Sequence, residues 1–150
     1  MVASRTRTVQ VQTFVARKPS ETFRWVTEPK RLQSWCVDTA TITPSKGGSY
    51  AFGWDGGPTH TGRVTAFVQG RSLTLTWQWP GMEDKLLTHL RISVLPAKAG
   101  SIVRFTHTGF PKQERWTELY GGAIQGWTYF LRNLKSMAEH GTDLRSPLDW

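Results

Sequence analysis

The sequence predicts an α+β fold: a curved antiparallel sheet of about six to seven strands wrapped around one long C-terminal helix, with two short helices after the first strand. Two observations carry this. Most of the chain is a series of short segments in which apolar and polar residues alternate, each parted from the next by Gly or Pro. Near the other end, Trp127 opens an apolar series through Leu131, Leu134 and Ala138. Its steps of three and four make one stripe on a helix from about Lys112 to His140. A lone amphipathic helix that follows strands needs a sheet against which to bury that stripe.

The elements follow in order. Thr8 to Ala16 sets Val9, Val11, Thr13 and Val15 against Gln10, Gln12 and Phe14, the period of a half-buried strand. Two short helices fit Pro19 to Val26 and Pro29 to Trp35, with apolar faces of Phe23, Val26, Leu32 and Trp35. Ser20 can cap the first, and Thr27 or Glu28 ahead of Pro29 resembles a helix start. Strands are expected at Thr39–Thr43, Ser49–Trp54, Thr61–Gln69, Ser72–Trp79, Leu86–Leu95 and Ser101–Thr108. Lys46-Gly47-Gly48, Asp55-Gly56-Gly57-Pro58, Gln69-Gly70-Arg71, Pro80-Gly81 and Lys98-Ala99-Gly100 supply the reversals.

Alternation sorts these strands into a dry and a wet face. Leu73, Leu75, Trp77 and Trp79 share one side, as do Leu90, Ile92 and Val94, and Val103, Phe105 and His107. The Thr61 strand is ambiguous, because Val64 and Phe67 are three apart: either a bulge lies there or Phe67 sits on the outer face. With Gly62, Val64 and Ala66 inward, their small size leaves room for a pocket. At the helix, Gly126 is expected to let the backbone approach closely beside Trp127.

A chain of 150 residues suits one domain, residues 1–150, and is long enough to bury a core without staples. No apolar run approaches the ~20 residues needed to cross a bilayer, so no membrane association is expected. The single cysteine, Cys36, rules out an internal disulfide and suits a reducing compartment, so the expected location is cytoplasmic. A net charge of +8 raises nucleic acid as a partner, but the basic residues are dispersed. No specific nucleic-acid recognition is expected.

Strand, two short helices, further strands and a long C-terminal helix together resemble the helix-grip fold of the START/SRPBCC superfamily. The residues sharpen the match. Phe14-Val15-Ala16, Pro19-Ser20-Glu21, Phe23, Thr27-Glu28-Pro29, Leu32 and Trp35 look like the N-terminal signature of bacterial homologues of the activator of the heat-shock-protein-90 ATPase, of the C-terminal-domain type. Gly47-Gly48-Ser49-Tyr50, Gly62-Arg63-Val64, Thr76-Trp77, His107-Thr108-Gly109-Phe110 and Gly126-Trp127 recur in the family's order. Arg17-Lys18 departs as an insertion, and Cys36 stands where relatives often carry a second Trp.

The family name implies a stress response and a chaperone partner, but the eukaryotic activator's stimulation depends on an N-terminal domain absent from this sequence. The superfamily resemblance more generally implies a container for apolar small molecules, which some branches turn into a cyclase or hydrolase. The expected activity is therefore binding of an apolar or aromatic small molecule between sheet and helix, without chemical change. The residues assigned to it are Trp35, Tyr50, Trp77, His107, Tyr120, Ala123 and Trp127, with Trp79 at the rim, since a pocket is mostly apolar with a few polar tips.

Residues with catalytic potential are few. His60, His89, His107 and His140 share no metal-ligand spacing, so neither metal nor cofactor is expected. His107 is in phase with Val103 and Phe105, which makes it either a cavity donor or base, or, as the favoured reading, a core histidine bonded to backbone or a tyrosine. Glu114 and Glu118 are one turn apart and complement the helix dipole rather than form a catalytic pair. No nucleophile motif is visible, and Cys36 reads as a small packed residue. Trp54, beside Asp55-Gly56-Gly57, is placed to gate an opening.

Overall fold

The computed structural model describes residues 5–79 and 86–145. Strand β1 (Thr6–Val15) leads into helices α1 (Pro19–Trp25) and α2 (Pro29–Trp35). Six strands follow: β2 (Thr39–Ile42), β3 (Ser49–Gly53), β4 (Thr59–Val68), β5 (Ser72–Gln78), β6 (Leu87–Ala97) and β7 (Gly100–Pro111). A 3-10 turn at Glu114–Trp116 then opens α3 (Thr117–His140). The expected Pro80-Gly81 reversal lies outside the described residues. Lys112 and Gln113 are not helical, so the long helix begins later than the sequence suggests.

The seven strands form one antiparallel sheet in the order β1-β7-β6-β5-β4-β3-β2. The chain crosses from one edge to the other through α1 and α2, then returns hairpin by hairpin. α1 starts with Pro19 in its first turn and α2 with Pro29, where a missing N–H leaves no helical bond unmade. Neither has a side-chain cap, so Ser20 does not play that part; Lys18 stands at the cap position of α1.

The dry face is as the alternation requires. Leu73, Leu75, Trp77, Leu90, Ile92, Val94, Val103 and Phe105 are all buried, together with Phe23, Val26, Leu32 and Trp35 from the short helices. In β4 the register shifts between Val64 and Ala66. That bulge turns Ala66 to solvent and brings Phe67 inward, edge-on to Phe23 at 5.8 Å. Gly62 gives no space either: a Cβ there would collide with Thr76 Oγ1 and approach Tyr50 Cε1 to 2.9 Å.

α3 lies along β1 and is tied down hardest at its C-terminal end. Leu131, Leu134 and Ala138 are buried there. Arg17 donates to the Ala138 carbonyl at 2.9 Å and the Glu139 carbonyl at 3.3 Å, neutralising the last turn's unpaired acceptors. Glu139 in return accepts from the Ala16 N–H at 2.8 Å and the Lys135 ammonium at 2.9 Å. Gly141 ends the helix in the left-handed region (φ 71°), its N–H bonded to the Met137 carbonyl. Buried Asn133 then clasps the outgoing chain, donating to the Trp35 carbonyl and Asp143 while accepting from the Leu144 N–H.

Candidate functional site

The other half of α3 faces open space. Gly121, Gly122 and Gly126 have no atom within 4 Å of where a Cβ would stand. Gly126 therefore admits no close approach. A helical glycine costs about 1 kcal/mol against alanine, and here no packing contact offsets it. Two of the three, Gly122 and Gly126, border a cavity of about 610 Å³, within the range of small-molecule sites.

Its helix wall is Leu119, Gly122, Ala123, Gly126, Trp127 and Phe130, and its sheet wall is Trp54, His60, Trp77 and Trp79. The mouth lies between Asp38 and the β3–β4 turn Asp55–Pro58 on one side and Arg115 and Glu118 on the other. The sheet wall is stacked: His60 lies on Trp77 at 4.4 Å and 24°, with Trp54 and Trp79 edge-on to His60 at 5.7 and 5.8 Å. Trp54 is pinned by its N–H to the Cys36 carbonyl at 2.8 Å, and the Asp55 N–H to Asp38 at 2.6 Å fastens the turn. Trp54 thus stands in the wall beside the mouth with its indole N–H engaged.

Behind the wall runs a chain of hydrogen bonds. The Trp127 indole N–H donates to His107 Nδ1 at 3.0 Å, which places the imidazole proton on Nε2. Nε2–H then donates to Thr88 Oγ1 at 2.7 Å, and that hydroxyl donates to the Trp77 carbonyl at 2.8 Å. Both ring nitrogens of His107 are committed and the residue is 0 % exposed. Burial first, then the neighbouring His60 and His89, push its pKa down to about 3. His107 is a neutral core histidine that orients Trp127, not a cavity base.

Of the eight residues assigned from the sequence, Trp77, Trp79, Ala123 and Trp127 line the cavity and the other four do not. Trp35 is buried under α1, donating to the Trp25 carbonyl at 2.9 Å. Tyr50 is buried on the far side of Trp77 with its hydroxyl on the Thr76 carbonyl, and burial holds its pKa above the ordinary phenol value. Tyr120 turns toward β1, bonding the Thr8 carbonyl at 3.3 Å beneath the Arg7 guanidinium. His107 stands one layer behind.

Cys36 is buried, and burial pushes its thiol pKa far up, as suits a packed residue. Among the described residues no three His, Cys, Asp or Glu side chains are grouped to hold a metal ion. No described helix is long and apolar enough to cross a membrane.

The comparisons with known proteins agree with this architecture. The family model for Activator of Hsp90 ATPase homolog 1-like protein matches residues 16–139. The chain belongs to this AHSA1 family. No curated protein matches it. A Mesorhizobium loti protein of known structure is 24% identical with a TM-score of 0.79, over 87% of this chain and 96% of that one. An AHSA1-like protein from Rhizobium etli is 23% identical at 0.74, over 98% and 92%. DynU16, from the dynemicin biosynthetic locus, is 16% identical at 0.81, over 93% of this chain but 49% of that one. At these identities the likeness establishes the shared SRPBCC-type fold.

Within this AHSA1 chain, sequence reasoning missed His60, which is 4 % exposed and central to the sheet wall. It lies two residues before Gly62 and four before Val64, so extending that phase backward finds it. Its Nδ1–H donates to the Gln78 carbonyl at 3.1 Å, leaving Nε2 as an acceptor, and burial lowers its pKa.

Proposed function

We propose that this AHSA1-family protein binds an uncharged aromatic or apolar small molecule in the cavity between α3 and the sheet and carries it unchanged. The observation that supports this most is the pairing of walls. Glycines on one helix face keep the space clear, while Trp54, His60, Trp77 and Trp79 offer aromatic surface opposite. Carriage is favoured over reaction because the groups first suited to chemistry are engaged elsewhere: His107 by Trp127 and Thr88, and Tyr50 by the Thr76 carbonyl. A second reading, a cyclase- or hydrolase-type enzyme, draws on the neutral His60 in the wall.

The test uses N-phenyl-1-naphthylamine, a neutral aromatic probe whose emission rises in apolar surroundings. It should bind saturably, and at a hundred times its Kd should add about 2.7 kcal/mol to stability. Gly126→Leu places its Cβ where nothing lies within 4 Å and directs the rest of the side chain from a cavity-lining position, so it should weaken binding at least about tenfold while the protein stays folded. Equal binding by parent and variant would remove the cavity from consideration. Turnover of a bound compound by the parent, abolished in His60→Gln, would promote the enzymatic reading.

A further inference from the structure

The outer face of the sheet takes no part in the cavity. Phe23, Leu32, Trp127 and Leu134 from the helices are buried with Leu73, Leu90 and Phe105 on the dry side, while the opposite positions of β4 to β7, Ser93 apart, stay half-buried or exposed. The chain has 11 Asp and Glu residues, and none of them stands in a strand. Four arginines do: Arg7, Arg63, Arg91 and Arg104. Arg7 turns to the Tyr120 ring and the Pro111 carbonyl at the edge of the sheet. The other three point outward, since each adjoins a buried residue on its own strand: Val64, Leu90 and Phe105.

Register gathers what the sequence scatters. Arg91 pairs with Thr106 and Ser93 with Arg104, so Arg91 and Arg104 are diagonal neighbours on β6 and β7, about 7 to 8 Å apart at the backbone. Across β5, the Arg63 N–H donates to Thr76 Oγ1 at 3.0 Å, and Thr76 pairs with His89, two residues before Arg91. The three guanidiniums therefore form an oblique line over four strands. Among the described residues no acidic side chain pairs with any of them, and Arg104 is steadied only by the neutral Gln12 amide at 2.9 Å. Glu83 and Asp84 lie outside the described residues. Thr74, Thr76, Thr106 and Gln10 fill the gaps, and no Trp, Tyr or Phe stands between the arginines.

We propose that this face holds the phosphodiester backbone of a single-stranded nucleic acid, without regard to base sequence. The proposal is independent of the carrier reading, which concerns the other side of the sheet. Guanidinium groups match phosphate oxygens two at a time, and hydroxyl and amide side chains supply the remaining contacts that nucleic-acid backbones usually receive. A line of charges suits one chain better than a flat anionic membrane, and no apolar side chain stands in the line to enter a bilayer. Adjacent strands of a sheet are rotated by roughly 20 to 25° from one another, so the line bends as it crosses them. A flexible single strand follows such a bend, whereas a duplex, stiff over about 150 base pairs, touches it at one point. With no ring to stack a base and no element to enter a groove, the face reads charge and spacing only.

The test is fluorescence anisotropy with a labelled oligothymidylate of about 20 nucleotides, long enough to cross the face. At about 50 mM salt it should bind in the micromolar range, and three phosphate contacts should give log K a slope of about −2 against log salt. The triple variant Arg63→Gln, Arg91→Gln, Arg104→Gln should lose about tenfold or more in affinity and flatten that slope. A control, Lys18→Gln, Lys30→Gln, Lys46→Gln, removes the same net charge from exposed positions elsewhere and should lose about threefold or less. In NMR titrations of the unaltered protein, which do not depend on the variants folding, the amides of Thr74, Arg91 and Arg104 should shift while those of Gly122 and Gly126 stay in place. Equal losses in the two triple variants would reduce the effect to net charge and overturn the proposal. So would shifts confined to other surfaces, no binding at low salt, or tighter binding of a duplex, of phosphatidylglycerol vesicles or of a polyglutamate peptide.

Discussion

The two halves of α3 are made of the same helix and do opposite things. From Leu131 to Glu139 the apolar stripe is filled and the polar groups are answered: Leu134 is fully buried, Arg17 closes the last carbonyls, and Asn133 holds the exit. At Gly122 and Gly126 the helix presents bare backbone to a cavity. The lesson concerns where stability is placed. One half is anchored strongly enough that the other can keep three glycines with no compensating contact. Trp127 stands at the junction, packed on Phe105 and Trp77 while bounding the cavity.

The junction is where the comparison breaks most readily. Trp127→Ala removes an aromatic core side chain and strands the His107 Nδ1 acceptor, and should cost about 3 to 5 kcal/mol in chemical denaturation. A loss under about 1 kcal/mol would mean that Trp127 belongs to the open half alone.

Acid should act through the same point. Neutral His107 resists protonation in the fold down to about pH 3, whereas in the unfolded chain it takes a proton near the ordinary histidine value of 6.5. A depressed histidine therefore contributes stability that is complete above about pH 6.5 and is lost as pH falls toward 3. Between pH 7 and pH 5 that loss amounts to about 2 kcal/mol. His60 acts in the same direction, so the contribution of His107 is the difference between parent and His107→Gln, whose amide can accept from Trp127 and donate to Thr88. Parallel pH profiles for the two proteins would show that His107 titrates as freely in the fold as out of it.

The smallest expected effect has the opposite sign. Gly126→Ala adds a methyl group where nothing obstructs it and should stabilise the protein by about 0.5 to 1 kcal/mol. Leu134→Ala in the filled half should destabilise by about 2 to 5 kcal/mol. Destabilisation by both substitutions would erase the distinction between the halves.

Most of the fold was legible because periodicity reports which side of an element is dry. The strand phases of β5, β6 and β7 and the faces of α1, α2 and α3 follow from spacing alone. What spacing cannot report is which dry positions touch protein and which touch space. The two glycine readings show this: Gly62 was expected to leave room and is filled by Tyr50 and Thr76, while Gly126 was expected to sit tight and lies open. Tyr50, His107 and Trp35 are expected in the cavity wall, yet each is buried and bonded within the core instead. Tyr120 faces β1, where Thr8 offers a carbonyl. His60 escaped notice because its strand starts at Thr59, two residues before the expected Thr61.

The packing of indoles across the two walls gives the molecule an optical signature. Trp77 lies 5.3 Å from Trp127 at 73° and 6.5 Å from Trp79 at 67°. Rings this close, skewed and held in fixed orientation give near-ultraviolet circular dichroism that depends on their mutual geometry and vanishes when tertiary order is lost. All three belong to the cavity. The part of the near-ultraviolet band that arises from these three indoles therefore reports how the helix wall sits against the sheet wall, while the far-ultraviolet signal follows helix and sheet as a whole; comparison with Trp79→Phe isolates that part from the other tryptophans.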